Sequence, residues 1–305
     1  MPAVLVLASA VSLAISLALG AAAVAGTTPL RRAASVVLIA LALLVPCLLP
    51  ASWLFARTLF ALATFVQAMR VIDLLSWTPP LRMRLLHTIS AVDTRQCKRA
   101  PRSFDVRGLA LALAWQGLAA LAFVVDWARP FATDRPLFWA VRWTAALVVV
   151  YALIEGGYRV MRLAYAALGF SVPALHRHPI LSLSIQELWG RRWAILVTTW
   201  MQATVFRPLA RRGYPAVGVA LAFTASALFH AYVVLVAIGA APALVMFGYF
   251  VLQGALVMLE RRLGIARLRR GLRRTWVVGA MVLTSPLFTE VILRIVLAPG
   301  WPFSS

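Results

Sequence analysis

The feature that most constrains this chain is a run of apolar residues, about as long as a bilayer is thick, that recurs along its whole length. Such runs fall near 3–25, 34–49, 53–75, 109–127, 137–154, 214–238, 242–259 and 276–297. About twenty consecutive apolar residues in a helix span the hydrocarbon core. Backbone groups in lipid need partners inside the protein, so only helices and closed barrels cross a membrane. No alternating strand pattern points to a barrel. The expected fold is therefore an all-α polytopic membrane protein, with about eight transmembrane helices and an interfacial or re-entrant polar loop. Composition agrees: 63% of residues are hydrophobic and 13% charged, where soluble domains carry about a quarter charged. The chain reads as a single integral membrane domain over 1–305, with N-terminal spans and a basic loop in 1–107 and the remaining spans in 108–305. The opening run has no basic flank and is longer than a signal-peptide core, so it counts as the first span. The fifth run can continue as helix past Arg159.

The net charge is +21 and almost all arginine, Lys98 being the one lysine. In a soluble protein such a balance suggests nucleic acid. In a polytopic chain it follows from the arginine excess of cytoplasmic loops, and no nucleic-acid partner is expected. The arginines alternate by loop: Arg31 and Arg32, then 82–107, then 177–212, then 261–274. The connections between these are poor in arginine or balanced, as at 128–136, where Arg129 and Arg135 meet Asp126 and Asp134. Eight spans with the basic loops cytoplasmic and both termini outside satisfy the pattern. Anionic lipid headgroups or an anionic substrate would be drawn to those loops. The Arg, Ala, Leu and Val usage resembles a GC-rich bacterial genome, which suggests a bacterial inner membrane.

Stretch 77–107 reads either as a solvated basic loop, with His87 facing solvent, or in part as an interfacial helix, since Leu81, Leu85, Leu86 and Ile89 recur at helical spacing. Cys47 lies in an apolar run and Cys97 in a basic loop, so neither a disulfide nor a metal site is expected. Asp73 and Glu155, near span ends, are expected to pair with Arg70 and Arg159. Glu290 is a pocket candidate or a partner of Arg294. His176 and His178 sit in an exposed-looking loop. As a His-x-His pair they lack a third metal ligand, and no metal is expected.

Two polar features interrupt the apolar text. The first is 182–193, Ser-Leu-Ser-Ile-Gln-Glu-Leu-Trp-Gly-Arg-Arg-Trp. Glu187 and Arg191 are four apart, a favourable helical pair. That arrangement leaves Arg192 to hold a phosphate, for which guanidinium is suited. Trp189 and Trp193 are also four apart and would stack at an interface or line a pocket. The second is His230, one imidazole in an apolar run, with Ser226 one turn before it. Ionisable groups at membrane depth are functional candidates. A neutral imidazole oriented by Ser226 or Thr224 is suited to general-base catalysis. The other reading is a histidine satisfied across the helix bundle.

Taken together, Ser182-x-x-x-x-Glu187-Leu-Trp-Gly-Arg-Arg-Trp193, Phe206-Arg-Pro208, Phe223-x-x-Ser226-x-x-x-His230 and Thr284-Ser-Pro-Leu-Phe288 resemble the wax-synthase-like branch of the membrane-bound O-acyltransferases. The order and spacing agree over about 180–290. The resemblance implies acyl transfer from acyl-CoA, as co-substrate, to the hydroxyl of a lipophilic alcohol, with no bound cofactor. It places His230 on the family's catalytic histidine. It places Gln186, Glu187, Trp189, Arg191, Arg192 and Trp193 in a substrate-binding loop, with Ser226 beside the base. One position departs: the family carries Asn or His directly after Arg-Arg-Trp, and here it is Ala194. Alternatives are a catalytically impaired lipid-binding or assembly protein of the same fold and, last, a transporter, which would show paired broken helices in two halves.

Overall fold

A computed structural model describes residues 2–128 and 136–296. Helices dominate it, and the eight expected spans are eight long helices: α1 (Pro2–Val24), α2 (Pro29–Leu44), α3 (Leu54–Leu74), α5 (Val106–Ala128), α6 (Pro136–Ala167), α10 (Pro215–Ile238), α11 (Ala240–Arg262) and α12 (Arg270–Val296). Seven of them are long and apolar enough, over their described residues, to cross a membrane, and α5 adds a shorter apolar stretch, Val106–Leu121. The protein is an all-α polytopic membrane protein. The extension of the fifth span past Arg159 is observed. The balanced connection expected at 128–136 and the tail after Val296 lie outside the described residues. Short elements fill the long polar stretches: α4 (Leu81–Ile89), α7 (Ile185–Glu187), α8 (Ile195–Met201) and α9 (Arg207–Arg211). A two-residue ladder joins β1 (Lys98–Arg99) to β2 (Phe170–Ser171).

The chain forms two compact units, one of residues 1–96, 229–244 and 294–305, the other of 97–228 and 245–293. In the first, α1 packs through small residues: Ala14, Ala18, Ala21 and Ala22 are all buried, as is Ala25 just past its end. Without a hydrophobic drive between helices in lipid, small side chains let backbones approach and polar groups bond across. Ser35 of α2 does so, donating to the Ala21 carbonyl at 3.0 Å. Thr28 caps α2, with Pro29 in its first turn. Tyr232 reaches back from α10, donating to the Leu43 carbonyl at 2.8 Å and meeting Thr64 Oγ1 at 3.2 Å. Large apolar side chains such as Val4 and Leu13 stay on the outside, where lipid receives them.

The helical spacing read in the first part of 77–107 corresponds to a helix, α4, over Leu81–Ile89. His87, expected to face solvent, is 0% exposed. The reason is a polar cluster that spacing along one helix does not show. Its Nε2 lies 3.2 Å from Asp73 Oδ2 on α3, its Nδ1 2.8 Å from Thr94 Oγ1, and its ring edge-on to Trp77. Arg95 bonds Asp93 and also reaches Asp73, at 2.7 Å each. Asp73 is 3.8 Å from Arg70, the expected partner. Arg84 caps the C-terminal end of α1, donating to the carbonyls of Ala23 and Ala25 at 3.2 and 2.7 Å. Burial alone would raise the Asp93 carboxyl. Hydrogen bonds from the Arg95 side chain and backbone, with the charges of Arg95 and Arg70, outweigh it and hold the group below its ordinary 3.8.

In the second unit α5 and α6 form an antiparallel hairpin, continued by α11, α12 and the first part of α10. Gly254 of α11 is required: a Cβ there would stand 2.8 Å from Phe223 Cβ on α10. Pro286 inside α12 removes the donor for the Val282 carbonyl. Ser285 restores it, its hydroxyl donating to that carbonyl at 2.9 Å. Arg142 of α6 pairs with Glu290 of α12 at 3.2 Å, so Glu290 is engaged across helices as well as lying one turn from Arg294. Cys47 and Cys97 are not joined in a disulfide.

Replacing His87 by Leu is expected to lower stability by about 1–3 kcal/mol, because it removes one partner from buried Asp73 and one from half-buried Thr94. Thermal unfolding of the purified protein in detergent checks this, and an unchanged midpoint would contradict it.

Candidate active site

The polar stretch after α6 is built as a folded loop whose backbone groups are satisfied one by one. It begins where Tyr158 of α6 donates to the Pro173 carbonyl at 2.6 Å. Residues 175–177 then run beside 192–195: the Arg177 N–H donates to the Arg192 carbonyl and the Ile195 N–H to the Leu175 carbonyl, both at 2.8 Å. Ser184 caps the short helix α7, accepting from the Glu187 N–H at 2.8 Å, while Glu187 Oε2 accepts from the Leu183 N–H at 2.9 Å. Ser184-Ile-Gln-Glu187 carries the capping-box signature in the sequence, and the structure realises its serine half while Glu187 reaches one residue further back, to the Leu183 N–H in place of that of Ser184.

The anchor of α7 is a residue sequence reasoning passed over. Glu260, at the end of α11, is 5% exposed. Its carboxylate accepts from the Ile185 N–H at 2.8 Å, the Gln186 N–H at 2.9 Å and Trp276 Nε1 at 3.2 Å. The first N–H groups of a helix have no partner within it and carry partial positive charge, so a carboxylate suits them. Glu260 reads in sequence as one more charge in a basic connector, and nothing local marks it as a cap for a segment 75 residues earlier.

Residues Leu188–Arg192 form a π-helical turn, closed by the Trp193 N–H to the Leu188 carbonyl at 2.9 Å. The wider turn changes the pairing expected from α-helical spacing. Glu187 meets the residue five on, Arg192, at 2.7 Å, and the expected partner, Arg191, is exposed instead. Arg192 also donates to the carbonyls of Arg177 and His178, so it holds the loop together. Side chains occupy the carbonyls of the wide turn: Thr198 donates to Trp189 and Trp193, and Gln202 to Gly190. Burial alone would raise Glu187. The Leu183 N–H and the charges of Arg192 and Arg273 override it and hold the carboxyl below its ordinary value.

Trp189 lies edge-on to Trp193 with ring centroids 6.2 Å apart, a contact but not the expected stacking, and edge-on to Phe223 and Phe250. Its indole N–H donates to Gln253 of α11 at 3.2 Å, and Gln253 donates to Thr284 of α12 at 2.8 Å. Gln253 is fully buried. Ile185, Leu188, Val219, Val257 and Val277 pack beneath. The exposed side chain of Gln186 accepts from Arg261 at 3.0 Å.

Ala194 adopts the left-handed conformation, with φ 41° and ψ 52°. Asn visits this region readily and Ala does not. His176, expected in an exposed loop, is buried. Its Nδ1 is 2.9 Å from Glu155 Oε2, and the other oxygen of Glu155 takes Arg159 at 2.8 Å, the pairing expected for that residue. Its ring lies 4.5 Å from that of Trp193 and 5.4 Å from that of Tyr151.

His230 and Ser226 lie on α10, which divides between the two units after Leu228. Ser226 falls in the unit that holds the loop and His230 in the unit that holds α1–α4. The His230 ring is half-buried, 4.6 Å from that of Phe229, which in turn stacks on Phe65 at 3.8 Å. Among the described residues no group of three or more His, Cys, Asp or Glu side chains is placed to hold a metal ion.

Comparison with known proteins puts the loop and His230 inside one recognised segment. Residues 172–252 match the membrane bound O-acyl transferase family. The chain is 30% identical over 146 residues to a long-chain-alcohol O-fatty-acyltransferase of Simmondsia chinensis, covering 43% of this chain and 42% of that protein. It is 28% identical over 163 residues to probable long-chain-alcohol O-fatty-acyltransferase 7 of Arabidopsis thaliana, covering 50% and 46%. The chain thus spans less than half the length of each of these relatives. The resemblance to the wax-synthase-like branch of the membrane-bound O-acyltransferases, read from the motifs, holds.

Two outcomes follow from the loop's geometry. Ala194→Gly is expected to raise stability by about 1 kcal/mol by removing the Cβ from a left-handed residue, read as a higher unfolding midpoint in detergent. The Glu187–Arg192 pair stabilises the loop above the ordinary glutamate value of 4.5 and loses that contribution only as pH falls below it. Protease sensitivity of the loop is therefore expected to stay constant from neutral pH down to that value, and Glu187→Gln is expected to raise it at neutral pH.

Proposed function

We propose that this protein is a membrane O-acyltransferase that moves an acyl group from acyl-CoA to the hydroxyl of a long-chain, lipophilic alcohol, giving a wax-type ester. The observation that carries the reading is the single family segment, 172–252, which contains both the Trp-Gly-Arg-Arg-Trp loop and His230. The names of the relatives supply the alcohol. His230 acts as the base. Its neutral imidazole takes the hydroxyl proton as the alcohol oxygen bonds to the thioester carbon. The carbon–sulfur bond then breaks, and the CoA thiol leaves with that proton. Ser226, one turn before, orients the ring.

Within the loop the two arginines divide the work. Arg192 is engaged with Glu187 and two carbonyls, and it keeps the loop in shape. Exposed Arg191 is the one to meet the phosphates of the donor, for which guanidinium is suited. Glu187 and Gln186 act on the loop's geometry, and Trp189 and Trp193 supply its apolar wall. The basic loops face the cytoplasm, where acyl-CoA is, and the arginine alternation supports that orientation; the membrane is a bacterial inner membrane.

A second reading has its own observation. Ala194 has no hydrogen-bond donor on its side chain, and losing one such donor commonly costs about 10²–10³ in rate. A slow enzyme, or a lipid-binding protein of the same fold, fits that substitution.

The test supplies membranes carrying the full chain with acyl-CoA and a long-chain alcohol. Ester is expected from the parent protein and none above background from His230→Ala. Unchanged product from the variant would remove His230 from the role of base.

A further inference from the structure

The connection between α11 and α12 carries more positive charge than the fold uses. Residues 263–269 join the ends of two helices long and apolar enough to cross a membrane. Within them Ile265–Arg267 forms a 3₁₀ turn, pinned by the buried side chain of Ile265. So short a connection stays within or beside the headgroup layer, which is about 5–8 Å deep on each face of a bilayer. From 261 to 274 the chain holds seven arginines and no carboxylate. The neighbouring Glu260 is turned inward, onto the N–H groups of α7 and the Trp276 indole.

The seven arginines divide by what they touch. Arg261 donates to Gln186 Oε1 at 3.0 Å, and Arg273 and Arg274 donate to the carbonyls of Leu183 and Ile180, both at 3.2 Å. These three hold the start of the loop beside the Glu260 cap. Arg262, Arg267, Arg269 and Arg270 are exposed, and among the described residues their guanidinium groups take no hydrogen bond and no ion pair. Leu263, Leu268 and Leu272 stand between them, 57%, 42% and 57% exposed.

Like charges this close repel one another until anions come between them. Leucines exposed at a membrane surface gain by entering the top of the acyl-chain layer. A phospholipid with an anionic headgroup answers both, with a phosphate that guanidinium binds through paired hydrogen bonds and apolar chains below it. An acidic protein segment would match the arginines and leave the leucines in water.

We propose that residues 262–272 are a docking surface for anionic phospholipid headgroups, and that a lipid held there steadies the start of the loop through Arg261, Arg273 and Arg274. The surface lies outside the chemistry proposed for His230, and each of its arginines is expected to contribute about fivefold to lipid affinity.

The full chain is reconstituted in phosphatidylcholine bilayers with and without phosphatidylglycerol, extracted in mild detergent and weighed by native mass spectrometry. The parent protein is expected to retain phosphatidylglycerol in preference to phosphatidylcholine. Joint replacement Arg262→Gln, Arg267→Gln, Arg269→Gln and Arg270→Gln is expected to lower that retention more than about tenfold. Arg269→Gln with Arg270→Gln, a milder change to the fold, is expected to lower it in the same direction. A control with Arg82→Gln, Arg99→Gln, Arg102→Gln and Arg107→Gln removes the same charge from another exposed basic stretch and is expected to retain lipid as the parent does. No preference in the parent, or equal loss in the fourfold variant and the control, overturns the proposal. Free coenzyme A at equal concentration is expected to leave the lipid bound; displacement would give the surface to the phosphates of the acyl donor and overturn the lipid assignment. Hydrogen exchange of residues 180–192 reads the coupling. It is expected to slow about fivefold when phosphatidylglycerol is added to the parent and to stay constant in the fourfold variant; exchange in the parent that ignores the lipid overturns the link to the loop. No turnover enters these measurements, so their outcome is separate from that of the ester assay.

Discussion

The loop at 172–206 depends on one carboxylate, that of Glu260. Non-helical backbone at or near membrane depth survives only when protein groups replace the water it would otherwise bond. Glu260 supplies three acceptor contacts at the point where the loop turns into α7, and its own charge is compensated by the N–H groups and indole it receives. From that anchor the remaining contacts follow in order. The Ser184–Glu187 cap sets the short helix, Glu187 then meets Arg192, and Arg192 closes the π-helical turn against residues 177 and 178. The turn in turn aims Trp189 at Gln253.

The same rule accounts for the charged groups elsewhere among the helices. Asp73 is surrounded by Arg70, His87 and Arg95, Glu155 by Arg159 and His176, and Arg142 is joined to Glu290. Each charge is expensive in lipid and is retained with a partner.

The fold was largely legible. Eight apolar runs gave eight helices, because spanning length and backbone satisfaction leave a lipid-embedded chain no other choice. The helical spacing of Leu81, Leu85, Leu86 and Ile89 gave α4. Near neighbours in sequence paired as expected, Glu155 with Arg159 and Asp73 with Arg70, since three- and four-residue separations share a helix face. The same rule misled at Glu187, where a π-helical turn moved the contact from Arg191 to Arg192. It had nothing to say about His87 and His176, whose polar partners come in part from other helices.

From the residues alone follow the membrane-spanning helical class, the resemblance of the segment at 172–252 to the O-acyltransferases and the identity of its polar residues, because these depend on composition and local order. Only the tertiary structure decided which of those residues hold the loop and which stay exposed. That division is set by contacts over long separations, Glu260 to Ile185, Gln253 to Trp189 and Glu155 to His176, which no period in the sequence records.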